Sequence, residues 1–219
     1  MDPLDDAVVR HYEAIEEENR IAHGFSQLEL LRVQEVLRRH LPDPPARVLD
    51  LGGATGIHAR WLAEDGYDVR IIDITPRHVE RANAELATLG VVAEVGDARR
   101  LNVANDSFDV VLMFGPLYHL TEETDRRQAL AEAGRVLRPG GRLLAMAVCR
   151  FASLLDGLYQ GWLDDPQFRP ILDQDLVDGQ HRNPDPAGRP EFFTTARIIE
   201  NSIRRNIGRW LRGRNQETC

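Results

Sequence analysis

Short apolar runs alternate with amphipathic segments through the middle of the chain. The runs read ARVLDL, DVRIIDI, VVAEVGDA, SFDVVLMFG and RLLAMAVC. Apolar runs of this length that alternate with helices are typical of parallel strands covered on both faces. The pattern predicts an α/β doubly wound sheet, with a ligand at the carboxyl ends of the strands near the topological switch point.

Helical periodicity predicts the elements that flank and connect these strands. One helix is expected over 5–23 and another over about 26–40, which ends at LPDPP because proline cannot continue a helix. The segments GIHARWLAEDG, TPRHVERANAELATLG and TEETDRRQALAEAGRVLRPGG predict the connecting helices. In the second of them Thr75 is the expected N-cap and Pro76 the first helical residue. The apolar face expected for the 26–40 helix consists of Leu28, Leu31, Val33, Val36 and Leu37.

After the fifth run the alternation stops. Residues 151–190 hold five prolines and scattered aspartates, and this stretch is predicted to be an irregular lid. The last 23 residues have a different charge, because 197–219 carry six arginines and two acids whereas the rest carries 21 arginines and 33 acids. The sequence therefore divides into an N-terminal helical cap (1–45), an α/β core (46–150), a lid or insertion (151–196) and a basic tail (197–219).

Composition narrows the class of protein. A chain of 219 residues with 42% hydrophobic content suits one globular domain with a sizeable core. The net charge of −8 argues against a nucleic-acid partner, which needs a basic face. Cys149 and Cys219 have no metal spacing, so no metal is expected, and Cys149 is predicted to be buried. Without a signal-like or membrane-spanning apolar stretch, a cytoplasmic location and no membrane partner are expected.

The stretch VLDLGGATG at 48–56 carries the first sign of chemistry. Asp50 ends the first strand, and Gly52, Gly53 and Gly56 follow before a helix begins. Glycines let the backbone approach a ligand, and a helix N-terminus favours a negative group. The spacing is not the G-x-G-x-x-G dinucleotide fingerprint. Asp50 would repel a pyrophosphate but attract an ammonium, which predicts a ligand with both ammonium and carboxylate, such as the methionine end of S-adenosylmethionine.

Two further acids follow the next two strands. Asp73 ends the second strand, 23 residues after Asp50, where an acid can accept hydrogen bonds from both ribose hydroxyls. Asp97 follows the third strand in VGDA, where it can accept a hydrogen bond from the exocyclic amine of adenine. Three acids at neighbouring strand ends together predict a nucleoside-containing ligand.

These motifs resemble those of class I S-adenosylmethionine-dependent methyltransferases of the bacterial small-molecule type. The family's first motif, D-x-G-x-G-x-G, reads DLGGATG here, with Ala54 in place of the middle glycine. The resemblance covers residues 8 to about 150. Its later motifs correspond to Asp73 in VRIIDI, GDA at 96–98, FDVVLMFGPLYHL at 108–120 and RVLRPGGRLL at 135–144.

The resemblance implies a Rossmann-like parallel sheet and S-adenosyl-L-methionine as cofactor. It implies that Phe114 and Gly115 line the methionine end and that Ile74 and Ala98 flank the adenine. It also implies that Tyr12 closes over the cofactor, although Tyr12 can equally be a core aromatic. The implied cofactor-binding residues are Tyr12, Asp50, Gly52, Gly53, Gly56, Asp73, Ile74, Asp97, Ala98, Phe114 and Gly115. The family core has seven strands, whereas five are found here, so the last antiparallel pair is expected to be absent and the chain to be truncated. Alternatively, the basic tail forms a helix that covers the exposed sheet edge or contacts a partner.

The implied activity is methyl transfer to a small-molecule acceptor. Tyr118 and His119, just after the fourth strand, are the catalytic candidates, with His119 as base and Tyr118 as orienting residue. Alternatively, His119 only hydrogen-bonds a loop and Tyr118 only packs. Trp162, Phe168, Phe192 and Phe193 are candidates for an apolar acceptor wall. His58 and His78, early in their helices, are expected to face solvent or to cap.

Other functions stay open on the sequence alone. The fold can instead bind the cofactor or a partner without turnover. A nucleotide-dependent oxidoreductase is disfavoured by Asp50 and by the glycine spacing, and an RNA methyltransferase by the acidic charge. The acceptor atom and the oligomeric state are left undetermined.

Overall fold

The computed structural model describes residues 9–10, 25–181 and 193–194. The helices are α1 (Phe25–His40), α2 (Ile57–Glu64), α3 (Pro76–Leu86), α4 (Pro116–His119), α5 (Glu123–Val136), α6 (Ala152–Gln160) and α7 (Phe168–Asp178). The strands are β1 (Arg47–Leu51), β2 (Asp68–Asp73), β3 (Val92–Val95), β4 (Phe108–Met113), β5 (Leu137–Ala145), β6 (Gln180–His181) and β7 (Phe193–Thr194). A 3₁₀ turn, Ala87–Leu89, follows α3.

The chain divides into two compact units. The first, here called the α/β unit, takes its described residues from 1–115 and 132–145. The second, the helical unit, takes its described residues from 116–131 and 146–219. The expected helix over 5–23, Tyr12 and the 197–219 tail fall outside the described residues, apart from Val9 and Arg10, which are helical.

The α/β unit is built on a five-stranded sheet in the order β3-β2-β1-β4-β5. All four strand pairs are parallel. The order reverses between β1 and β4, which makes their carboxyl ends the topological switch point. The prediction of a doubly wound parallel sheet with five strands is confirmed, and among the described residues the β6–β7 pair forms a separate antiparallel sheet.

The central strands β1 and β4 form the core because they are apolar on both faces. Val48, Leu49, Val110 and Leu112 are fully buried. Helices α2 and α3 add Leu62 and other apolar side chains to the same cluster. A sheet packed on both faces by side chains of this kind removes a large apolar area from water, which is the main favourable term in folding.

Several local expectations are corrected. In α1, Leu28 and Leu31 are about two-thirds exposed, and only Leu37 of the expected apolar face is fully buried. The positions expected at the start of α3 are confirmed, with Thr75 as N-cap and Pro76 as the first helical residue, although the Thr75 side chain makes no capping hydrogen bond. Cys149 is exposed, not buried.

The fifth strand occupies 137–145, not the expected 142–149. Leu137 pairs with Phe108 and Arg142 with Val110, so the Arg-Pro-Gly-Gly segment between them forms an irregularity at the start of the strand. The regular pairing ends with Ala145 opposite Met113, because β4 itself ends at Met113.

The helical unit is more ordered than the expected irregular lid, since it contains α6 and α7. The two helices and β6 are tied together by three polar side chains. The buried carboxylate of Asp175 accepts hydrogen bonds from the Ser153 hydroxyl and from Nδ1 of His181, the latter over 2.8 Å. Trp162 and Phe168 pack edge to face with ring centroids 5.8 Å apart. Phe192 and the side chain of Phe193 fall outside the described residues.

Candidate functional site

The loops that carry the predicted cofactor-binding residues meet at one edge of the sheet. Leu51 lies between Ile72 and Met113 in the strand register. The backbone N–H of Gly52 donates to the carbonyl of Ile72 over 2.7 Å, and that of Gly96 donates to the carbonyl of Asp73 over 2.9 Å. The backbone after β1 and the backbone after β3 are therefore each hydrogen-bonded to the end of β2.

The segment after β4 completes this edge. A Cβ added to Gly115 would lie 3.4 Å from the carbonyl oxygen of Gly52, so the backbones after β1 and β4 nearly touch. The predicted residues Asp50, Gly52, Asp73 and Gly115 consequently surround one small region at the switch point.

Asp50 is the most deeply buried acid of this region. Its side chain is 1% exposed, and among the described residues its Oδ2 has no hydrogen-bond partner. Burial, and secondarily the charge of Asp73, raise the pKa of Asp50 to about 7. Because an unpaired buried acceptor is costly, the site is suited to a ligand that brings a hydrogen-bonding cation to this oxygen.

The backbone over Asp50 has no room for a side chain. A Cβ added to Gly53 would lie 2.7 Å from Cγ and Oδ2 of Asp50. Gly56 has φ of 88°, and a Cβ there would meet Leu86 Cδ1 at 2.4 Å. The first glycine lets the loop approach the carboxylate, and the second lets the loop pass the core into α2.

Asp73 braces this loop as well as facing the site. Its Oδ2 accepts a hydrogen bond from the backbone N–H of Ala54, and its Oδ1 accepts one from that of Thr75, each over 2.9 Å. Nδ1 of His78 lies 3.5 Å from Oδ1. Burial alone would raise the pKa of Asp73, but the hydrogen bonds from His78, Thr75 and Ala54 lower it overall. The carboxylate is thus ionised, and its remaining lone pairs can accept from ribose hydroxyls.

The carboxylate of Asp97 accepts more hydrogen bonds from the protein than the sequence indicates. It accepts hydrogen bonds from Nε and Nη2 of Arg99 and from the Arg99 backbone N–H, over 2.8 to 3.0 Å. The Asp97 side chain remains 35% exposed. Ala98 beside it is buried and Ile74 is partly buried. The adenine contacts of these three residues stay predictions.

The expectation that His58 and His78 face solvent or cap is wrong. His78 is buried beside Asp73. His58, in the first turn of α2, is partly buried and packs edge-on against Phe114, with ring centroids 5.3 Å apart and an interplanar angle of 85°. A lone histidine early in a helix carries no pattern in the sequence. The one available signal was its position two residues after the glycine loop.

The catalytic candidates Tyr118 and His119 belong to the helical unit. They form the end of α4, which begins one residue after Gly115 along the chain, and their rings lie 4.8 Å apart. His119 is buried. Their roles in catalysis stay predictions.

Arg126 is a residue of the helical unit that the sequence did not single out. It is 2% exposed, and its Nη1 donates to the carbonyls of Leu120 and Thr121. Burial lowers the pKa of this guanidinium. Arg126 therefore fixes the chain directly after the Tyr118–His119 pair.

The part of the chain that the structure describes contains no cluster of three or more histidine, cysteine or acidic side chains placed to hold a metal ion. Within the same residues, no helix has the length and apolar character needed to cross a membrane.

The segment of this chain that matches known proteins includes most of the sheet and the loops that follow its strands. Residues 48–141 match the methyltransferase domain family. A ubiquinone/menaquinone biosynthesis C-methyltransferase of Acidiphilium cryptum is 36% identical over 128 residues, which is 55% of this chain and 50% of that protein. An O-methyltransferase of Pyrenophora dematioidea is 39% identical over 118 residues, covering 50% of this chain and 42% of that protein. The chain thus spans half or less of the length of these curated relatives.

The fold also matches a solved structure. An S-adenosylmethionine-dependent methyltransferase from Methanosarcina mazei superposes with a TM-score of 0.61 over 78% of this chain and 82% of that one, at 23% identity. At this identity the likeness supports the fold alone.

Proposed function

We propose that this chain, whose residues 48–141 match the methyltransferase domain family, transfers a methyl group from S-adenosylmethionine to a small organic acceptor. The observation that carries the proposal is the buried Asp50 carboxylate beneath Gly53. One of its oxygens has no hydrogen-bond partner among the described residues, and the backbone above it has no room for a side chain. Both features fit the ammonium of the cofactor's methionine end.

Each part of the cofactor has a matching group in the α/β unit. Asp50 would hold the ammonium and Asp73 the ribose hydroxyls, while Phe114 and Gly115 would line the methionine end. Ile74, Asp97 and Ala98 would flank the adenine. When bound, the cofactor supplies an activated methyl group on a sulfonium, so the protein mainly has to place the acceptor in line with it.

A small acceptor is supported by charge and by the relatives. The chain has a net charge of −8, which does not favour an RNA substrate. The names of the two relatives describe methylation at carbon in quinone biosynthesis and methylation at oxygen. We propose that Tyr118 orients the acceptor and that His119 accepts its proton, for which a neutral imidazole is the usual group.

The test is transfer of radiolabelled methyl groups from S-adenosylmethionine to a panel of small phenols, quinols and amines. The proposal expects labelled product with at least one acceptor class, and a lower kcat in His119→Gln with unchanged cofactor affinity. Cofactor binding without turnover on any acceptor would favour the alternative, a noncatalytic cofactor- or partner-binding protein. Failure to bind the cofactor would overturn the proposed methyl transfer and leave only the partner-binding form of the alternative.

A further inference from the structure

His58 lies beside the glycine loop that follows β1 and beside the segment that follows β4. It is the second residue of α2, directly after the glycine loop. Its ring packs edge-on against Phe114, which follows β4 and precedes the Gly115–Gly52 approach. Two side chains from separate parts of the sequence therefore meet beside the loop that covers Asp50.

One atom of this histidine is unexplained by the protein itself. Nδ1 of His58 is buried and, among the described residues, has no hydrogen-bond partner. Buried polar atoms in folded proteins nearly always have a partner, and one that has none points to a ligand or water at that position. The edge-on contact with Phe114 accounts for the ring but leaves the nitrogen unsatisfied.

The charge state of His58 limits what it can bind. Burial lowers the pKa of His58 to about 4, so the imidazole is neutral at physiological pH. A neutral ring can donate a hydrogen bond from one nitrogen without adding a positive charge. A positive charge here would repel the sulfonium of the bound cofactor.

We propose that His58 is a cofactor-binding residue, whose Nδ1–H donates a hydrogen bond to the carboxylate of the cofactor's methionine end while its ring holds Phe114 in place. The inference rests on the proposed function, because it assumes S-adenosylmethionine as the ligand. It complements Asp50, which would take the ammonium of the same amino-acid group. The two charged groups would then be recognised by opposite kinds of side-chain atom, a donor and an acceptor.

The test compares two ligands that differ only in this carboxylate. Affinities for S-adenosylmethionine and for decarboxylated S-adenosylmethionine, which keeps the ammonium, are measured by titration calorimetry. In His58→Phe the ring and its packing on Phe114 are retained but the donor is lost. The proposal expects affinity for S-adenosylmethionine to fall about tenfold or more, as for one lost hydrogen bond to a charged group, and affinity for the decarboxylated ligand to stay unchanged.

Two further variants complete the design. His58→Asn keeps a donor near the position of Nδ1, and it should retain more of the affinity than His58→Phe. His40→Phe makes the same change at an exposed histidine at the end of α1 and should alter neither affinity. Melting temperatures of all variants show that they are folded.

These measurements distinguish failure of the inference about His58 from failure of the proposed function. Equal losses for both ligands, or no loss for either, would show that His58 serves packing alone and would overturn the inference. A wild-type chain that binds neither ligand would overturn the proposed function, and the inference with it.

Discussion

The backbone N–H of Ala54 donates a hydrogen bond to Oδ2 of Asp73 over 2.9 Å. The acid that ends β2 therefore also fixes the glycine loop that follows β1. Because Asp73 is buried and ionised, this bond is charge-assisted and stronger than one between neutral groups. Because the loop and the acid are bonded to each other, a change at either should affect the whole of the proposed cofactor site.

Asp73→Asn should weaken cofactor binding strongly. The amide keeps one acceptor oxygen, but it loses the charge and the second oxygen that brace the loop and serve the ribose. We expect the Kd for S-adenosylmethionine to rise about 10- to 100-fold, the range for lost hydrogen bonds to a charged group. Asp68→Asn, at the exposed start of the same strand, is the matched control and should leave the Kd unchanged.

Cofactor affinity should depend on pH through Asp50. Its pKa of about 7 in the free protein means that the carboxyl is largely protonated at pH 6 and ionised at pH 8. The ammonium of the cofactor, which loses its proton near pH 8, favours the ionised form, so affinity should increase roughly fivefold between pH 6 and pH 7. Calorimetry in buffers of different ionisation enthalpy should show proton release on binding at pH 6. Asp50→Asn should bind weakly and without this pH dependence.

The same group should lower the stability of the ligand-free protein at higher pH. The folded-state pKa of Asp50 is raised above its ordinary value of 3.8, so the folded state binds more protons than the unfolded state between about pH 4 and pH 7. Stability is lost as pH rises through that window. Asp50→Asn should therefore gain stability over wild type at pH 8, by about 1 kcal/mol or more, and gain less at pH 5. Urea denaturation at the two pH values measures the difference, and an equal effect at both would contradict it.

Ala54→Gly should stabilise the protein modestly. Ala54 has φ of 48°, a left-handed conformation that costs a residue with a side chain about 1–2 kcal/mol. The greater flexibility of glycine in the unfolded chain offsets part of this gain, which leaves a net stabilisation of about 0.5 kcal/mol. Ala84→Gly, in the exposed interior of α3, should instead cost about 1 kcal/mol. Opposite signs in denaturant titrations support the loop geometry, whereas two losses would refute it.

Gly56→Ala should be severely destabilising. The new Cβ would collide with Leu86 and Ile71 in addition to adopting a positive φ. Gly90 also has positive φ, but a Cβ there would meet nothing within 4 Å. Gly90→Ala should thus lose only about 1 kcal/mol, and Gly56→Ala should lose at least about twice that amount. Thermal melts of the two variants measure the difference, and similar losses would show that the loop can move away from the core.

The sheet could be predicted because its central strands are apolar on both faces and helical segments separate the apolar runs. Asp50 and Asp73 could be predicted as site residues because strand register brings the ends of parallel neighbours together. The helices within 151–181 could not be predicted, because Pro166 and Pro170 resembled helix-breaking residues. Pro170 in fact lies in the first turn of α7, where proline is tolerated.

The contacts of His58 and His78 could not be predicted from the sequence, for a different reason. His78 reaches Asp73 from the first turn of the helix that follows β2, and His58 reaches Phe114 across 56 positions of sequence. Neither contact follows from periodicity or composition, since both depend on the side-chain packing of a folded unit. The hydrogen bonds from Arg99 to Asp97 also depend on side-chain packing, although the two residues are close in sequence.

The most direct test of the account is calorimetric titration of the wild-type chain with S-adenosylmethionine, S-adenosylhomocysteine and NAD. We expect saturable one-to-one binding of the first two ligands and none of NAD. A folded chain that binds NAD, or that binds neither sulfur ligand, would contradict the assignment of the Asp50–Asp73 region as an S-adenosylmethionine site.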